Sequence, residues 1–155
     1  MALSNPSLHI SPDRPIEILL VEDNLADVRL AQEALKEIRA PHHLTVARDG
    51  VAAEALLAEP APNAEPARPD LILLDLNLPR KDGRELLETI KANPRLRRIP
   101  VIVLTTSCAD DDVVAAYDLN ANAFVRKPMS IDSFVELIRA IDAFWLRSTV
   151  LPPPD

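Results

Sequence analysis

Apolar residues in this chain come in short blocks that end on polar ones. Ile18-Leu19-Leu20-Val21 follows Glu17 and stops at Glu22-Asp23. Leu71 to Leu74 stops at Asp75, Val101 to Leu104 follows Pro100 and stops at Thr105-Thr106, and Ala123 to Val125 stops at Arg126-Lys127-Pro128. Leu44 to Ala47, before Asp49-Gly50, reads as a further strand. Continuous apolar runs of this length mark strands covered on both faces, as in a parallel sheet.

The segments between the runs carry helical spacing. Asn24 is placed to cap a helix, with Asp27 three residues on and Val28, Leu30, Ala31, Ala34, Leu35 and Ile38 as its apolar stripe. Val51 to Leu57 predicts a short second helix, and Arg84 to Lys91 a third bearing Leu86, Leu87 and Ile90. Asp110 to Leu119 opens on three aspartates, which favour a helix N-terminus. Ser130 caps a last helix whose stripe runs through Phe134, Leu137, Ile138, Ile141 and Trp145. Strand and helix alternate five times, which predicts a doubly wound α/β domain with a five-stranded parallel sheet and helices on both faces.

Length and composition refine this picture. At 155 residues the chain suits one domain. We expect a flexible N-terminal tail over 1–14, a domain over 15–147 and a C-terminal tail over 148–155. The proline-dense stretch from Glu59 to Pro69 is expected to be an extended loop inside the domain. A net charge of −7 argues against a general nucleic-acid surface, and no apolar run is long enough to cross a bilayer. Cys108 is the single cysteine, so no disulfide forms within the chain and a cytoplasmic location is expected. Gly50 and Gly83 are the only glycines, and each is expected to mark a backbone position with a special requirement.

Ligands of such sheets sit beyond the carboxyl ends of the strands, near the point where strand order reverses. Glu22, Asp23, Asp75, Thr105 and Lys127 end the apolar runs and should therefore meet there. Gathered carboxylates repel unless a cation neutralises them, and an all-oxygen set suits Mg²⁺. A carboxylate can act as a nucleophile toward phosphorus, a lysine can neutralise the phosphoryl charge, and a threonine hydroxyl can bond its oxygens. Taken singly, each residue has a plainer reading as a helix cap, a turn residue or a surface charge. Four coincident strand ends tell against the plain reading of all of them.

The strings Leu19-Leu20-Val21-Glu22-Asp23-Asn24, Leu73-Leu74-Asp75-Leu76-Asn77-Leu78-Pro79 with Asp82-Gly83, Val103-Leu104-Thr105-Thr106, and Lys127-Pro128 resemble the receiver domains of two-component response regulators. The resemblance spans about residues 15 to 146 and implies a (βα)5 flavodoxin-like fold. It implies that Asp75 accepts a phosphoryl group from a histidine kinase. Glu22, Asp23, Asp75 and the backbone carbonyl of Asn77 would hold Mg²⁺, and Lys127 would pair with the phosphoryl group. Thr105 and Phe124 would form the switch, and the bond before Pro128 is expected to be cis.

Tyr117 to Phe124, Phe144-Trp145-Leu146 and Thr149 to Pro152 further resemble regulators partnered with bacterial phytochrome kinases. Because the chain ends nine residues after Leu146, output is expected through a partner or self-association. Phe144 and Trp145 are the interface candidates for a homodimer. A phosphatase or phosphotransferase using Asp75 as covalent nucleophile is the competing reading. Such enzymes commonly carry a second acid two residues on, where this chain has Asn77, so no enzymatic activity is expected. A degenerate receiver serving as a scaffold is disfavoured because no core site residue is missing.

Overall fold

The apolar runs become five parallel strands: β1 (Ile16–Val21), β2 (His42–Ala47), β3 (Leu71–Leu74), β4 (Val101–Thr105) and β5 (Ala123–Arg126). The structure, a computed structural model, describes residues 14–58 and 68–153. The expected N-terminal tail, apart from Arg14, and residues 59–67 of the proline-dense loop lie outside the described residues. The strands are ordered β2-β1-β3-β4-β5, so chain direction through the sheet reverses between β1 and β3.

Five helices cover the two faces: α1 (Leu25–Leu35), α2 (Gly50–Leu57), α3 (Gly83–Ala92), α4 (Asp110–Asp118) and α5 (Ile131–Ile141). Side chains alternate across the central strands. Leu19, Val21, Ile72, Leu74, Val101 and Val103 meet Ala53, Leu57, Leu86, Leu87, Ile90 and Ala116 on one face. Ile18, Leu20, Leu71, Leu73, Ile102 and Leu104 meet Ala31, Ala34, Leu35, Phe134 and Ile138 on the other. Both faces of the central strands are dry, which is why their sequences read as unbroken apolar runs.

The edge strands differ for the same reason. β2 starts at His42, two residues before its apolar run, because an edge strand tolerates half-buried His42 and exposed His43 and Thr45. At the other edge, β5 is only four residues long, and the Phe124 N–H donates to the Tyr117 hydroxyl at 3.2 Å.

The two glycines fill places where a side chain has no room. A Cβ on Gly83 would strike the Asp75 carbonyl and approach the Leu76 Cα to 2.5 Å. A Cβ on Gly50 would meet the Lys81 backbone. Neither glycine has positive φ, so the requirement is close backbone approach, not conformation. Gly83 thus lets α3 start directly against the end of β3.

The last helix departs from the expected periodicity. After Ile141 it widens into a π-helical segment, Asp142–Ser148, closed by the Thr149 N–H donating to the Phe144 carbonyl at 2.8 Å. A helix bonded i→i+5 takes more residues per turn than an α-helix, which moves the buried face on from Trp145 toward Leu146. Ile141 is therefore followed on the buried face by Leu146, while Trp145 is left half-buried. Phe144 is 58% exposed and packs edge-on against Trp145, with ring centroids 5.4 Å apart. Residues 149–153 lie on the domain: Leu151 packs at the α1/α5 face, and Arg68 donates to the Pro153 carbonyl at 3.4 Å.

Candidate functional site

The strand order places the ends of β1 and β3 at the reversal point, and the acidic residues that terminate those strands meet there. Carboxylate oxygens of Glu22, Asp23 and Asp75 lie within 4.8 Å of one another. Glu22 and Asp75 are buried, at 3% and 5% exposure. Glu22 Oε1 accepts from the Asn24 N–H at 3.0 Å, and Asn24 in turn caps α1 by accepting from the Asp27 N–H. Asp75 Oδ1 accepts from the Asn77 N–H at 3.1 Å. Both carboxylates are therefore oriented by the backbone that turns away from their strands.

Lys127 enters from the end of β5 and is the counter-charge. Its backbone N–H donates to the Thr105 carbonyl at 2.9 Å. Its ammonium, 6% exposed, donates to Glu22 Oε2 at 2.6 Å, Asp75 Oδ2 at 3.0 Å and Asp27 Oδ2 at 3.0 Å. Burial alone would lower the Lys127 pKa, but its three carboxylate bonds outweigh that and raise it. Glu22 is pushed up to about 7, first by burial and then by the neighbouring Asp75 charge, against the pull of Lys127 and the Asn24 N–H. Lys127 thus stays charged, while Glu22 holds its proton to higher pH than an ordinary carboxyl.

Thr105 is fully buried, and its hydroxyl accepts from Asn77 Nδ2 at 3.4 Å. Beyond it, Asp112 in the first turn of α4 bonds both the Ser107 hydroxyl and the Arg84 guanidinium of α3, tying down the loop after β4. Phe124 is not gathered into the site. It is half-buried and packs against the α2/α3/α4 face. Phe144 and Trp145 lie past the C-terminal end of α5, where they contact each other.

One expectation is corrected. No peptide bond among the described residues is cis, so the bond before Pro128 is trans. The X–Pro trans form is intrinsically favoured by about 0.5–1 kcal/mol, and here Lys127 reaches all three carboxylates with the bond trans. Sequence reasoning also missed Asp27 as a site residue. Its place in the first turn of α1 invited reading it only as part of the cap. The signal available was its spacing: four residues after Asp23, it returns to the same side of the helix start.

A three-carboxylate oxygen set facing one lysine has the hardness and excess negative charge that suit a divalent cation such as Mg²⁺ or Mn²⁺. Comparison with known proteins then settles the lineage. Residues 18–139 match the family model of the response regulator receiver domain. The chain belongs to the receiver family.

This receiver is 50% identical over 138 residues to response regulator Rcp1 of Synechocystis sp., covering 89% of this chain and 94% of that protein. Among solved structures it resembles the phosphorylated cyanobacterial phytochrome response regulator RcpA, with TM-score 0.84 and 47% identity over 90% of this chain and 100% of that one. It also resembles the Mn(2+)-bound form of Rcp1, with TM-score 0.81 and 50% identity over 90% of this chain and 100% of that one. The (βα)5 parallel fold expected from the apolar runs is the fold of these receivers.

Proposed function

We propose that this receiver accepts a phosphoryl group from the phosphohistidine of a histidine kinase on Asp75, with Mg²⁺ held by Glu22, Asp23, Asp75 and the carbonyl of Asn77. The observation that carries this reading is the buried Asp75 carboxylate, fixed through one oxygen by the Asn77 N–H and through the other by the Lys127 ammonium. A carboxylate oxygen attacks phosphorus, the N–P bond breaks, and the imidazole leaves with its electron pair and takes a proton from water. Bound Mg²⁺ would supply positive charge to the phosphoryl oxygens. Lys127 supplies a second positive charge from the β5 side, and the buried walls exclude water that would weaken both. Thr105, whose hydroxyl accepts from Asn77 and whose carbonyl accepts from Lys127, would donate that hydroxyl to a phosphoryl oxygen.

The kinase is proposed to be of the phytochrome type, supported by the likeness to RcpA and Rcp1. Phe124 would respond to Thr105 by rotating inward from its half-buried position. Output would pass to a partner protein or a second copy. Exposed Phe144 and the neighbouring Trp145 favour a homodimer through the end of the last helix, in the cytoplasm. Among the described residues no helix is long and apolar enough to cross a membrane. We read the chain as a signalling module and not an enzyme, because Asn77 offers no general acid beside Asp75.

Incubation with Mg²⁺ and acetyl phosphate should give one phosphoryl adduct by intact mass, absent in Asp75→Asn. An adduct that survives this change, or steady turnover of an added phosphomonoester, would refute the reading. Light scattering should show a dimer at tens of micromolar that Phe144→Asp dissociates; a monomeric wild type rules out the homodimer.

A further inference from the structure

The Lys127 ammonium has three N–H donors, and all three are committed to carboxylate oxygens of Glu22, Asp75 and Asp27. A phosphoryl oxygen can take this ammonium only if one of those bonds opens. Glu22 and Asp75 are deep, with side chains 3% and 6% exposed. Asp27 is 27% exposed, stands on the first turn of a different element, and lies 100 residues away in sequence. Its carboxylate is not the cap of α1, since Asn24 fills that role and takes only the Asp27 backbone N–H. A first-turn acid also gains from the helix dipole, but that role would not need its carboxylate on Lys127.

We propose that Asp27 is a positioning residue that competes with the phosphoryl oxygens for the Lys127 ammonium, and so sets how readily the site is filled. The inference rests on Asp75 being the acceptor. When the site is empty, Asp27 draws the ammonium toward the mouth. When an anion arrives, the Asp27 bond is the one that opens, because its oxygen alone can turn to water. Asp27 also adds a negative charge on the path of an anionic donor, while favouring a cation at the neighbouring carboxylates.

The effect therefore has opposite signs for the two ligands. Asp27→Asn keeps the side-chain shape and removes the charge. Beryllofluoride, a stand-in for the phosphoryl group, should bind the variant about three- to tenfold more tightly at saturating Mg²⁺, from one unit charge at about 6 Å in a watery to intermediate dielectric. Mg²⁺ alone should bind it more weakly, by up to a similar factor. Both are read by titrations following Trp145 fluorescence or amide NMR shifts, and Asp27→Ser repeats the test with a different neutral side chain.

A merely structural role for Asp27 would weaken both ligands. Unchanged or weaker beryllofluoride binding in both variants overturns the proposal. The gain should also vanish in a Lys127→Met background, and its full persistence there overturns the route through Lys127. Failure of the wild type to bind beryllofluoride would instead overturn the assignment of Asp75, before Asp27 is compared.

Discussion

Replacing Lys127 with methionine keeps the length and apolar stem of the side chain and deletes one charge. In the metal-free protein that charge is the partner of two carboxylates that are almost fully buried and a third that is partly exposed. Removing one member of a buried ion pair costs about 3–5 kcal/mol, because the remaining charge is left desolvated. The partly exposed Asp27 adds at most about 1 kcal/mol. Urea unfolding at pH 8 in a chelator should therefore show Lys127→Met about 3–5 kcal/mol less stable than wild type, a large part of a usual domain stability of about 5–15 kcal/mol.

Two further readings separate this cause from simple misfolding. Mg²⁺ at about a hundred times its dissociation constant should return about 2.7 kcal/mol to the variant, since the cation replaces the lost charge. Lowering the pH to 6 should also shrink the difference, because Glu22 then carries its proton in the folded state. Equal stability of the two proteins at pH 8 without metal would refute the reasoning, as would a deficit that neither Mg²⁺ nor acid reduces.

Glu22 itself gives a sign test. Its folded pKa of about 7 lies above the ordinary carboxyl value of about 4.5, so the folded state binds more protons in that window. The contribution of Glu22 to metal-free stability is therefore favourable below about pH 4.5 and declines as pH rises to 7, by up to about 3 kcal/mol. Wild type should lose stability relative to Glu22→Gln over this range in paired urea titrations. Gly83→Ala should cost about 1–3 kcal/mol in thermal unfolding and also slow adduct formation, because the added methyl pushes on the backbone of Asp75 and Leu76. Leu146→Ala should cost about 2–4 kcal/mol by denaturant midpoint and exceed the cost of Trp145→Ala, the reverse of what unbroken α-helical spacing would give.

The sheet and the strand-end residues were legible because one physical constraint wrote both. Strands dry on two faces must be apolar throughout, so the first polar residue after each marks the rim where a ligand can sit. Glu22, Asp75 and Thr105 were readable in that way, and Lys127 stands one place after Arg126, the first polar residue past its run. Asp27 was harder to read, because its partner lies across the sheet and only its spacing from Asp23 separates a carboxylate facing Lys127 from one facing a helix dipole. The widened turn after Ile141 was equally silent: Trp145 and Leu146 are both apolar, and only packing decides which turns inward. Arg84, Ser107 and Asp112 come from three separate segments, and their bonding has no signature in spacing.

The hydroxyl of Tyr117 on the Phe124 N–H has a consequence for how copies of this protein can stick together. An open sheet edge is a template on which a foreign strand can add, and repeated addition leads to fibres. Here the outer edge at β5 is four residues long, and a backbone donor on it is already spoken for by a side chain of the same molecule. A strand docking along this edge would have to evict the phenol before forming its ladder. Tyr117 therefore acts as a bolt on the open side of the sheet, opposing the addition of a further strand there.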